Sequence, residues 1–150
     1  MLHKCLQCGA ELPAGETCRD RFDLCLAKEF EHPASYGSVH HLTVASYMLQ
    51  HALYSRQAWL EARKMVAQYI HQGITPADVR RQNRQAFDSG HRQWSLTKGA
   101  KISALDGIVW TRTIADVRHD TPEVYCADVK TWATSVLLDT ESVLPGLSVD

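Results

Sequence analysis

Cys5 and Cys8 stand two residues apart, Gly9 follows at once, and Cys18 comes shortly after. A Cys-x-x-Cys-Gly turn wraps two thiolates around one metal ion. Its glycine takes the positive φ that lets backbone amides point at the sulfurs. Four of the five cysteines fall within the first 25 residues, a concentration that core packing does not require. A segment of this kind is fastened to the rest of its fold by an ion, and that limits what the remaining chain can be.

The start of the chain, Met1-Leu2-His3-Lys4-Cys5, lacks the apolar stretch of a signal peptide, so the expected address is the cytoplasm. There thiols stay reduced, and a Cys-x-x-Cys pair reads as a metal or redox site rather than a disulfide. A net charge of -1 supplies no global field toward nucleic acid or anionic lipid. No apolar run is long enough to cross a bilayer. The expected partner is therefore a small molecule or a protein, with neither nucleic acid nor membrane involved and the oligomeric state open. The 150 residues suit a single domain.

Residues 1–17 read as a turn-rich, hairpin-like zinc-knuckle arm with little core of its own. Thr17 and Asp20 form an imperfect capping box for a helix beginning at Cys18. Phe22, Leu26 and Phe30, with Cys25 beside them, give it an apolar face, and His32-Pro33 ends it. A second helix is predicted from near Ser38 to about Ala52. A third is capped by Ser55, carries Trp59, Ala62, Val66, Tyr69 and Ile70, and stops at Gly73. Thr75-Pro76-Ala77-Asp78 signals a fourth, running to about Phe87 and closing a four-helix segment over 18–87. Residues 88–120, punctuated by Gly90, Gly99 and Gly107, read as an ordered loop with a short strand or turn near Ile108–Ile114. Thr121-Pro122-Glu123 opens a last helix to about residue 138, and 139–150 read as a loose tail. The fold class is mainly α: a bundle of four to five helices with a small N-terminal zinc-binding arm.

A structural zinc takes four thiolate or imidazole ligands. Cys5, Cys8 and Cys18 supply three, the last at a helix N-terminus where the dipole favours a thiolate. If the first two helices form an antiparallel hairpin, the end of the second brings His51 back level with Cys18. His51 is therefore the expected fourth ligand, with Cys25 the alternative and His3 the third choice. Cys126 reads as a small core residue.

The same hairpin places Glu29 near His40 and His41. With Asp116 from the loop, a carboxylate and imidazoles there are a weak candidate for a catalytic site, either a second metal or general acid–base chemistry. The spacing matches no fixed motif, and capping or bundle hydrogen bonds serve equally well. Arg80, Arg81, Arg84, His91 and Arg92 form a basic patch tempered by Asp78 and Asp88. Trp94 and Trp110 are the tryptophans placed to line a pocket.

The Cys5-x-x-Cys8-Gly9 turn, Thr17-Cys18 and the segment from Val39 through His40-His41-Leu42-Thr43-Val44 to Tyr47-Met48-Leu49-Gln50-His51 resemble a bacterial family of small uncharacterised proteins. Trp110–Val117 and the Trp132-Ala133 helix resemble its C-terminal half. The resemblance implies that the thiolate arm and the His40–His51 helix form one functional unit; it brings no activity, substrate or partner. The resulting expectation is a structural-zinc binding or regulatory module. A metal-dependent enzyme built on Glu29, His40, His41 and Asp116 is one alternative, and a thiol-based redox or metal sensor is another.

Overall fold

Local sequence signals set most element boundaries. The computed structural model of the chain describes residues 1–78, 80, 81 and 102–147. Leu2–Lys4 (β1) and Glu11–Pro13 (β2) pair antiparallel, with His3 opposite Leu12. Side chains alternate across a strand, and β2 turns one inward: Leu12 is fully buried. The arm therefore inserts an anchor into the core, which the expectation of an arm without apolar weight had missed.

Thr17 caps α1 (Cys18–Glu31) through a complete capping box. Its hydroxyl accepts the Asp20 N–H at 3.1 Å, and the Asp20 carboxylate accepts the Thr17 N–H at 2.9 Å. The buried face is Cys18, Phe22, Cys25 and Glu29, spaced as one side of a helix requires. Phe30, expected on that face, is instead 87% exposed. It falls beyond the stripe, whose last buried position is taken by Glu29.

The predicted start near Ser38 is a 3-10 turn, Tyr36–Val39, and α2 itself spans His40–Gln50. Gly37 passes close to α1: a side chain there would begin 2.9 Å from the Glu29 carbonyl oxygen. At the far end of α2, Ala52 takes a left-handed φ of 51°, and the Leu53 N–H donates back to the Met48 carbonyl at 3.2 Å. Ser55 caps α3 (Arg56–Gln72), which buries Ala58, Trp59, Ala62 and Val66 and ends at Gly73. Thr75 and Asp78 cap each other's backbone amides where a further helical turn opens at Pro76. The predicted continuation of that helix over 82–87, the loop residues 88–101, and Arg84, His91, Arg92 and Trp94 lie outside the described residues.

From residue 102 the chain makes two 3-10 turns, Ser103–Leu105 and Ile114–Asp116, and no strand occurs among its described residues. Trp110 packs half-buried at the core margin. Thr121 caps α4 (Pro122–Thr140), which packs mainly on α2 and α3 and buries Tyr125, Val129, Trp132, Ala133 and Val136. A 3-10 turn at Glu141–Val143 and α5 (Leu144–Leu147) follow. The expected loose tail is thus folded through residue 147, because Leu147 is fully buried. Arg63 secures this end, donating to the Leu137 carbonyl and the Thr140 hydroxyl at 2.8 Å each. Among the described residues, no helix is long and apolar enough to cross a membrane.

Candidate metal centre

The α1–α2 hairpin sets the site by its register. Glu29, near the end of α1, meets His40 and Thr43 at the start of α2. One step along, Phe22 stacks on Tyr47, ring centroids 4.0 Å apart and planes 2° from parallel. At the other end the first residue of α1, Cys18, comes level with His51, the C-cap of α2.

The arm closes over this end. Gly9, at φ 78°, lets its N–H donate to the Cys5 carbonyl at 3.0 Å while the Cys5 N–H donates to Ala10 at 2.9 Å. The turn presents both sulfurs inward, and the ligand atoms of Cys5, Cys8, Cys18 and His51 all lie within 4.8 Å of one another. The Cys8 and Cys18 sulfurs are 3.6 Å apart, and Cys5 Sγ is 3.7 Å from His51 Nε2. A tetrahedral ion bonded at ~2.3 Å to sulfur and ~2.0 Å to nitrogen needs sulfur–sulfur edges of ~3.8 Å and sulfur–nitrogen edges of ~3.5 Å. The group could hold a metal ion.

His51 is prepared as a ligand by its neighbours. Its Nδ1 lies 2.7 Å from the Tyr47 carbonyl oxygen. A carbonyl only accepts, so Nδ1 carries a proton, and Nε2 is the nitrogen that faces the sulfurs. The ring also stacks on Tyr47 at 4.2 Å. Gln50, adjacent in sequence, donates to the Arg112 carbonyl at 2.7 Å and accepts from Trp132 Nε1 at 3.1 Å, which fixes the end of α2.

The thiols of the cluster perturb one another. The Cys8 thiol is pushed down, first by the hydrogen bond from Cys18, against burial, and then by His51 and the Ala10 amide. The same bond, with burial, pushes the Cys18 thiol up. Three sulfurs sharing one space cannot all ionise without a neutralising cation. Cys8, Cys18 and His51 are buried and Cys5 is half-buried, so four donor side chains enclose a centre that could hold a metal ion.

The other ligand choices fall elsewhere. His3 Nε2 lies 2.7 Å from the Glu16 carbonyl, fastening the arm to the start of α1. Cys25 falls outside that group of four: its sulfur is 3.8 Å from His119 Nε2, and burial pushes its thiol up to about 11. Cys126 is half-buried, with its sulfur 3.4 Å from the Ser35 carbonyl.

The second constellation assembles only in part. The buried Glu29 carboxylate accepts from His40 Nδ1 at 2.8 Å, the Thr43 hydroxyl at 2.6 Å and the Tyr125 hydroxyl at 2.5 Å. His41 points away from it, edge-on to Tyr69 at 4.6 Å, and its Nε2 is buried with no partner among the described residues. Asp116 uses its carboxylate on the Thr113 N–H at 2.8 Å, closing a 3-10 turn. Of the four candidate residues, only Glu29 and His40 are brought into direct contact with each other among the described residues. Of the basic patch, Arg81 pairs with Asp78.

Sequence reading missed Thr43, Tyr125, Phe22 and Tyr47 as supports. Thr43 stands one helical turn from His40, a spacing that was available; Tyr125 is 96 residues from Glu29 and left no local signal.

No curated protein and no solved structure matches this chain. A family model described as "Family of unknown function (DUF5946)" matches residues 3–141, which span the cysteine arm, the α1–α2 hairpin and α4. The chain belongs to that family.

Proposed function

We propose that Cys5, Cys8, Cys18 and His51 hold one structural zinc ion, and that the protein is a zinc-stabilised helical module acting by binding or regulation in the cytoplasm. Three thiolates and one imidazole suit zinc over the hard, oxygen-seeking cations. The carrying observation is the closure of the site: four protein donors converge within 4.8 Å and three of them are buried. A catalytic zinc keeps an open position for water or substrate, and a full set of protein ligands does not supply one. The ion's work is then mechanical, clasping an arm with one buried leucine to the end of a helical hairpin. The partner is a protein or a small molecule.

Elemental analysis of the purified full chain tests this reading. One equivalent of zinc per chain is expected, falling to near zero in Cys8→Ser and His51→Ala. Two equivalents would revive a metal-dependent enzyme, and a chain folded with its arm in place and no metal would remove the proposal.

A further inference from the structure

At the opposite end of the α1–α2 hairpin from the cysteines lies a cleft of about 570 Å³, walled by Leu26, Phe30, Pro33 and Gly37, with Glu29 and His40 as its polar members. That size is typical of small-molecule sites, as is an apolar wall with few polar groups. We infer that this cleft is a second site, separate from the metal centre, that takes a small apolar molecule bearing a weakly acidic hydroxyl, with His40 as the acceptor of its proton.

The argument begins at Glu29. Its side chain is 2% exposed, yet it accepts three hydrogen bonds, so the carboxylate is fixed in place from two other helical positions, Thr43 and Tyr125. A carboxylate fixed in this way determines which His40 nitrogen bears the proton. Nδ1 donates to Glu29 Oε1, which leaves Nε2 as the acceptor. No described residue hydrogen-bonds Nε2, and the His40 side chain is 58% exposed although its partner is buried. Phe30, left 87% exposed at the end of α1, supplies an aromatic wall. Gly37, packed against the α1 backbone with no room for a side chain, closes the floor.

The chemistry of the polar end selects the ligand class. A second carboxylate would meet the Glu29 charge, and a purely apolar molecule would leave Nε2 unsatisfied. A hydroxyl donating to Nε2 satisfies the ring and adds no charge. Phenols combine that donor with a face that suits Phe30.

The test uses 4-ethylphenol and its non-donating analogue 4-ethylanisole, titrated into the full-length chain carrying ¹⁵N-labelled histidine. The phenol should bind saturably and move the His40 Nε2 resonance. The anisole should bind roughly threefold to tenfold more weakly, as expected for one lost hydrogen bond, and leave that resonance in place. His40→Phe, its fold checked by circular dichroism because the buried Glu29 carboxylate loses one of three partners, should equalise the two affinities, and Phe30→Ala should weaken both. Equal binding of the two probes to the wild type, a His40 resonance unmoved at saturation, or no saturable binding would overturn the inference. A shift at His51 instead would place the ligand at the metal centre and equally overturn it.

Discussion

Replacing Cys8 by serine separates the metal's contribution from that of ordinary packing. A serine hydroxyl does not ionise in the working range, so one of the four donors is lost and the ion with it. The arm is then a two-stranded hairpin without its clasp, which is marginal in water. What it takes out of the core on leaving is small: Leu12, fully buried, and Ala10, 2% exposed. Burying a leucine contributes about 1.5–3 kcal/mol and a methyl somewhat under 1, so detachment should cost roughly 3 kcal/mol. For a chain of this size that corresponds to a Tm lower by ~6–12 °C. The helical signal in far-UV circular dichroism should persist, because buried Trp59 donates to the Leu49 carbonyl and buried Trp132 to Gln50, which tie α3 and α4 to α2 independently of the arm. Amide exchange should become fast over residues 2–13 alone. Leu12→Ala, with all four donors kept, should lose about 2–5 kcal/mol yet retain the metal. Full metal content in Cys8→Ser, or a Tm within ~2 °C of wild type, would refute the reasoning.

Other changes probe the remaining links. His51→Phe keeps an aromatic ring against Tyr47 but removes the lone pair, and metal affinity measured with a chelating dye should fall further than the roughly 10–100-fold seen when only a supporting partner is lost. Ala52→Gly relieves the left-handed backbone beyond α2 and should raise stability by about 1 kcal/mol in urea titration. Thr121→Ala deletes the hydroxyl that accepts the Val124 N–H at 3.2 Å and should lower stability by about 1 kcal/mol. Burial, with a smaller effect from His40, pushes His41 down from 6.5 to about 4. Its neutral form is the one the fold favours, so its contribution is complete above pH 6.5 and is lost as pH falls toward 4. The stability difference between wild type and His41→Phe should therefore change across that window and stay constant above it.

Much of this architecture was legible because its signals are local. Thr17 with Asp20, Ser55, Thr75 with Asp78, and Thr121 with Pro122 each announce a helix start by satisfying amides within one turn, and each cap is present. The expectation of His51 at the cysteines came from helix length and hairpin geometry, and the structure brings that residue to them. What escaped was set by distant packing. Phe30 fits an apolar period, but the hairpin's crossing gave the last buried position to Glu29, whose charge is offset by Tyr125 from far along the chain. Leu147 is buried by the end of the bundle, which no turn-rich local sequence reveals. Adjacent histidines diverge because neighbours on a helix lie about 100° apart, so His40 reached Glu29 while His41 met Tyr69.

X-ray absorption at the zinc edge of the chain as purified addresses the metal most directly. Three sulfur neighbours at ~2.3 Å and one nitrogen at ~2.0 Å, with the outer-shell scattering of an imidazole, are the predicted first coordination sphere. A shell of four sulfurs would bring in Cys25 and displace His51. A shell dominated by oxygen, or no absorbing metal in protein whose arm is ordered, would contradict the account at its root.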